Sequence, residues 1–204
     1  MIDEKEICSS ILKLSADAEI VIIGIDGLGG AGKSTVSEKI CREIKNNNVH
    51  TILLHIDDFI HKRKIRYNSA YPEWQCYYDL QWRYAYFSQI INQIKSKMNH
   101  CIKIELYDKD NDCYFVQSYE IKEKTIVIVE GIFLQRKELH GLFDYMVYID
   151  VPEDERMIRV LKRDTYIGNQ QQIMDKYENR YFPAERKYFK EYHPEQSSDF
   201  VIHE

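Results

Sequence analysis

The chain has 204 residues, 44% of them apolar and 30% charged, with a net charge of −5. That composition is ordinary for a globular protein and excludes a disordered chain; the acidic balance argues against a general binder of nucleic acid or anionic membrane. Apolar runs such as Ile20–Ile23 and Ile126–Val129 fall far short of the roughly 20 residues that a spanning helix needs.

The first residues, MIDEKEICSS, contain no apolar core of a secretory signal. Five scattered cysteines (Cys8, Cys41, Cys76, Cys101, Cys113) form no CxxC pair, so neither a zinc site nor a disulfide framework is expected. A reduced, cytoplasmic protein of one domain, 1–204, is the expectation.

In chain order, residues 3–15 predict a short amphipathic helix with Ile7, Ile11, Leu12 and Leu14 on its apolar side. Residues 19–26, EIVIIGID, read as a fully buried strand, 33–46 as a helix and 49–56 as a second strand. The spacing of Leu80, Tyr84, Phe87, Ile90, Ile91 and Ile94 predicts one helix over 79–98. Alternation on both sides of DKDND predicts a hairpin at about 101–122. Residues 125–130 and 145–150 read as buried strands, 153–165 and 170–190 as helices, and 199–202 as a last strand. Strands alternating with helices imply an α/β fold of three layers around a mainly parallel sheet of about five strands.

After the first strand comes Gly27-Leu-Gly29-Gly30-Ala31-Gly32-Lys33-Ser34-Thr35, the GxxxxGKS/T phosphate loop (P-loop) in its required setting between strand and helix. Small residues let backbone N–H groups converge on phosphate oxygens, and the following helix points its positive end at them. Lys33 reaches the outer phosphates, and the Ser34 hydroxyl suits Mg²⁺. The loop alone fits a kinase, a motor, a switch or a transporter ATPase. No NKxD motif is present to read guanine.

Two further strand ends are acidic: Asp57-Asp58 after the second strand and Glu130 after TIVIV. Strand C-termini line the ligand crevice of a parallel sheet. A carboxylate there can take the proton of an attacking hydroxyl, or it can cap the turn; Glu130 can hold Mg²⁺.

Taken together, GIDGLGGAGKST (24–35), IDDF (56–59), LYD (106–108), VIVEGIF (127–133), RMIRVLKRD (156–164) and the spacing of Tyr177, Arg180 and Pro183 resemble the uridine kinase and phosphoribulokinase family of P-loop kinases. The resemblance implies ATP and Mg²⁺ as cofactors and a small-molecule acceptor. It implies that Gly27, Gly29, Gly30, Ala31, Gly32, Lys33, Ser34 and Thr35 bind the phosphates, with Ser34, Glu130 and Asp57 near the metal. It also implies Asp57 as general base, Asp79 on ribose hydroxyls, Tyr107 stacked on a base, and an arginine-bearing lid at about 153–175. Uridine kinases carry a histidine a few residues after the Tyr-Asp pair; here the stretch 107–112 has none.

Arg156, Arg159 and Arg163 recur at helical spacing and share a face. They are either a solvated face or, as lid residues, Arg159 and Arg163 stabilise the migrating phosphoryl group while Arg156 binds substrate. The run His61-Lys-Arg63-Lys-Ile-Arg66 is either a solvated loop or an anion site in which Arg63 and Arg66 hold a charged acceptor. The expected reaction is phosphoryl transfer to a nucleoside such as uridine or cytidine. A phosphosugar, pantothenate or a nucleotide-dependent switch stand as alternatives. No nucleic-acid or membrane partner is expected, and a homo-oligomer is compatible with the chain.

Overall fold

The computed structural model describes residues 2–96 and 100–203. Helix α1 (Ile2–Asp17) leads into β1 (Ile20–Gly27), followed by α2 (Lys33–Asn46) and β2 (His50–His55). Short helix α3 (Arg63–Arg66), α4 (Glu73–Leu80) and α5 (Tyr84–Lys95) precede the hairpin β3 (Cys101–Asp108) and β4 (Cys113–Glu120). Then come β5 (Thr125–Gly131), β6 (Tyr145–Asp150), α6 (Glu153–Arg163), α7 (Gln170–Lys176), α8 (Phe182–Tyr192) and β7 (Phe200–His203).

The five-stranded sheet has the order β2-β5-β1-β6-β7, with every pairing parallel. Its central strands are apolar on both faces because helices cover both faces. Val21, Ile23, Ile25, Ile126 and Ile128 pack with Ile7, Ile11 and Ile40 of α1 and α2. The alternate residues Ile22, Val127 and Val129 pack with Phe87, Ile90 and Ile91 of α5 and with Ile102, Ile104 and Leu106 of the hairpin. The antiparallel hairpin forms a separate two-stranded sheet, as its alternation predicts. No helix among the described residues is long and apolar enough to cross a membrane.

One predicted helix is broken. The helix expected over 79–98 is α4 and α5, separated at 81–83; its predicted end, at 97 and 98, lies outside the described residues. At the break the backbone pairs elsewhere: His61 N–H donates to the Gln81 carbonyl at 2.9 Å, and Arg83 N–H to the Phe59 carbonyl at 2.8 Å. The Arg83 N–H, so engaged, cannot also close a helical bond to the Asp79 carbonyl. The helix expected over 170–190 is continuous from 170 to 192 and passes through a π-helical turn at Tyr177–Tyr181.

Helices α6 and α8 are tied to the loop after β1. Glu185 Oε2 pairs with Arg156 Nη1 at 2.7 Å, and the two side chains are 1% and 3% exposed. Glu185 Oε1 accepts the Gly29 N–H at 2.9 Å, and Arg156 Nη1 also donates to the Gly29 carbonyl at 3.0 Å. Glu185→Gln is expected to leave Arg156 buried without a counter-charge and to cost about 3–5 kcal/mol, lowering Tm by on the order of 10 °C. The double variant Arg156→Met, Glu185→Leu is expected to recover part of that loss. Calorimetry checks both, and a single variant as stable as the parent would contradict the assignment.

Candidate active site

The turn between β1 and α2 is built around backbone that only glycine adopts freely. Gly30 and Gly32 have φ of 85° and 88°. A Cβ on Gly30 would stand 2.9 Å from Val160 Cγ1 and 3.0 Å from the Arg156 carbonyl, so α6 lies directly on the loop. Gly32 caps α2, whose positive end faces the turn. Lys33 Nζ arches back to the Leu28 carbonyl at 3.1 Å.

Two cavities flank Lys33 and Ser34. One, of about 290 Å³, is lined by Gly30, Gly32, Lys33, Ser34, Thr35, Arg159 and Arg163. The other, of about 420 Å³, adds Asp57, Glu130, Arg63, Arg66, Tyr77, Gln81 and Arg180, with Arg163 shared. A loop that separates a nucleotide-sized space from an acceptor-sized one can serve both.

The larger cavity's electrostatics follow from its pairings. Glu130 accepts from His55 Nδ1 at 2.6 Å and from Ser34 Oγ at 3.4 Å. Burial alone would raise its pKa, but those bonds and the Lys33 charge hold it below the ordinary 4.5. The same bond raises His55 above 6.5 against the opposing effect of burial. Asp164 accepts from Arg163 Nε at 2.7 Å and from the Tyr177 hydroxyl at 2.6 Å. Glu185 is held by Arg156 and Gly29. Asp57, exposed in the turn after β2, makes no hydrogen bond or ion pair among the described residues. Behind the loop, the wholly buried Asp26 accepts from the Tyr188 hydroxyl and, at 2.8 Å, from Gly27 N–H; burial raises its pKa.

The structure gathers Lys33, Ser34, Asp57, Glu130, Arg63, Arg66 and Arg163 around one cavity, and Arg159 with Thr35 around the other. Three expected substrate residues lie elsewhere. Asp79 does not open a long helix; it sits near the end of α4, outside both cavities, 3.8 Å from Arg136 Nη2. Arg156 lines neither cavity; its guanidinium donates to Glu185, to Gly29 and, at 3.1 Å, to the Val151 carbonyl. Tyr107 is 3% exposed and lines neither cavity. Its hydroxyl accepts from Arg66 Nη2 at 2.9 Å and donates to Asp112 at 2.7 Å, and the Arg66 guanidinium lies 5.0 Å above its ring. The position expected to stack a base is thus covered by an arginine of this chain.

The sequence reading missed Asp26, His55, Gln81, Glu185 and the role of Arg180. Asp26 and His55 stand at strand ends, and the argument that picked out Asp57 and Glu130 applies equally to them. For Glu185 no local signal exists; Arg180 stands in the spacing of Tyr177, Arg180 and Pro183, which by itself assigns it no role. The donors expected near a metal fit Mg²⁺. Ser34, Glu130 and Asp57 offer hard oxygens on one cavity, and Mg²⁺ takes one or two carboxylates beside phosphates and water.

A model of the phosphoribulokinase/uridine kinase family matches residues 22–203. The uridine kinase of Staphylococcus haemolyticus is 31% identical over 149 residues, 72% of this chain and 70% of that protein. That of Staphylococcus aureus is 30% identical over 166 residues, 81% and 77% of the two chains. The structure of a possible uridine kinase from Bacillus stearothermophilus is similar with a TM-score of 0.81 at 28% identity, over 98% of this chain and 97% of that one.

The His55–Glu130 pair gives a pH-dependent prediction. Glu130 is depressed, so its contribution is present above about pH 4.5 and is lost as pH falls. His55 is raised, so its contribution is complete below about pH 6.5 and is lost as pH rises through the higher folded value. The destabilisation caused by His55→Gln is therefore expected to be largest between about pH 4.5 and 6.5 and to shrink above that window. Denaturant titrations at a series of pH values check this; a pH-independent difference would contradict it.

Proposed function

The chain belongs to the phosphoribulokinase/uridine kinase family of small-molecule kinases, and from that premise we propose that it transfers the γ-phosphoryl group of Mg·ATP to an acceptor hydroxyl. The observation that carries this reading is the shared wall: Lys33 and Ser34 line both cavities, whereas Asp57 lines the larger one only.

In this reading the triphosphate lies on the loop Gly27–Thr35, its outer phosphates against Lys33 and the α2 N-terminus. Mg²⁺, held by Ser34 and Glu130 with Asp57 alongside, would supply charge neutralisation to the phosphates. His55 keeps Glu130 ionised and oriented. Asp57, with no protein partner competing for its carboxylate, accepts the proton of the attacking hydroxyl as the new ester bond forms and the bond to ADP breaks. Arg163 and Arg159 reach the loop from α6 and stabilise charge on the migrating group. Tyr166 and Tyr177 add walls to the acceptor cavity from the segment that follows α6, which helps to exclude water.

The relatives are uridine kinases, so a nucleoside such as uridine or cytidine is the first acceptor to test. A second reading, another hydroxyl-bearing acceptor such as a phosphosugar or pantothenate, is favoured by the arginine that covers Tyr107.

Asp57→Asn is expected to reduce transfer by about 10²–10⁴-fold while ATP affinity, measured by calorimetric titration, stays close to that of the parent. Lys33→Ala is expected to lose both. Transfer that survives in Asp57→Asn while ATP affinity falls would refute the base assignment.

A further inference from the structure

Among the described residues, the larger cavity contains a cation without a counter-ion. Arg180, turned inward by the π-turn at Tyr177–Tyr181, is 1% exposed and lines the cavity. Its guanidinium meets only neutral acceptors: the Glu73 carbonyl at 3.2 Å, Gln81 Oε1 at 3.2 Å and the Arg66 carbonyl at 3.4 Å. Its Nε is buried with no hydrogen-bond partner. The rings of Tyr67 and Tyr77 lie 4.4 and 5.4 Å from it; they attract a cation but do not neutralise one.

Arg66, also buried, is held in the same manner. Nε donates to the His61 carbonyl at 2.5 Å and Nη2 to the Tyr107 hydroxyl at 2.9 Å, and its guanidinium lies 5.4 Å from the same Tyr67 ring. Apart from Asp57, which makes no ion pair among the described residues, the carboxylates that line the cavity are committed elsewhere. Glu130 serves His55 and Ser34, Asp164 serves Arg163, and Glu185 serves Arg156. Asp112 reaches Arg66 through the Tyr107 hydroxyl. A guanidinium withdrawn from water without an anion is costly, and a planar fork of this kind suits a phosphate or carboxylate.

We infer that Arg180 and Arg66 form a subsite for an anionic group, phosphate or carboxylate, carried by the acceptor. The acceptor is then a hydroxy acid or a phosphorylated alcohol, with its hydroxyl at Asp57 and its charge at the arginines. The choice of acceptor rests on the phosphoryl-transfer reading above; the subsite itself does not.

Two measurements test this. In the first, ADP release from Mg·ATP is followed with uridine, a neutral polyol, a hydroxycarboxylate and a sugar phosphate. A charged acceptor is expected to exceed uridine in kcat/KM by at least about tenfold. Arg180→Gln is expected to raise that acceptor's KM by at least about tenfold and leave the KM for ATP within about twofold, with Arg180→Lys between.

In the second, the loop is saturated with Mg²⁺ and a non-hydrolysable ATP analogue, and inorganic phosphate is titrated. Phosphate is expected to raise Tm in the parent and in Arg180→Lys but not in Arg180→Gln. Uridine as the best acceptor overturns the charged acceptor and leaves phosphoryl transfer intact. A parent Tm that phosphate does not move overturns the subsite even when transfer is observed. If no acceptor is turned over, the kinase reading fails and the phosphate titration still decides the subsite.

Discussion

A buried ion pair fixes the geometry on which the rest of the site depends. Glu185 and Arg156 are 1% and 3% exposed and meet at 2.7 Å, and both also bind the backbone of Gly29. The pair joins three elements that are far apart in sequence: the loop after β1, the start of α6 and the first turn of α8. Such pairs seldom add net stability over an apolar substitute. Their effect here is positional. With Gly29 held from both sides and Gly30 pressed against Val160, the loop has one conformation in which Lys33 and Ser34 can stand between two cavities. The same α6 that anchors the loop through Arg156 carries Arg159 and Arg163 to its far side.

The division of charge around the larger cavity follows from that frame. Each buried carboxylate there is committed to a specific neighbour. Glu130 is the clearest case: burial opposes ionisation, and His55, Ser34 and Lys33 together outweigh it. Asp57 is left as the acid whose oxygens no side chain claims. The cations are distributed differently. Arg163 has Asp164, whereas the buried Arg180 has only carbonyls, an amide and aromatic rings. A cavity in which every acid but Asp57 is committed, and in which a buried guanidinium has no anionic partner among the described residues, is suited to a ligand that brings negative charge beyond that of the nucleotide.

Most of the framework is legible in the sequence because parallel strands buried on both faces leave continuous apolar runs. IVIIGID and TIVIVE are therefore found at β1 and β5. The phosphate loop and the acidic strand ends are legible for a related reason: the sheet's topology brings all strand C-termini to one edge. What escaped depends on contacts across the chain. The break at 81–83 exists because Phe59 and His61 claim the backbone of that stretch, and no periodicity within 79–98 records it. Asp79, expected to open a long helix, therefore stands near the end of α4. Arg156, Arg159 and Arg163 are equivalent by spacing, yet the first is buried under α8 while the other two face cavities; Glu185, 29 residues away, makes the difference. Tyr107 was expected to be open to a ligand, and Arg66 closes it.

The central claim is that this site moves a phosphoryl group to a hydroxyl and does not spend ATP on water. Phosphorus NMR of the protein with Mg·ATP and each candidate acceptor in turn tests it most directly. With the correct acceptor, the γ-phosphate signal is expected to be replaced by a phosphomonoester signal in step with the appearance of ADP. Inorganic phosphate as the sole product with every acceptor would contradict it.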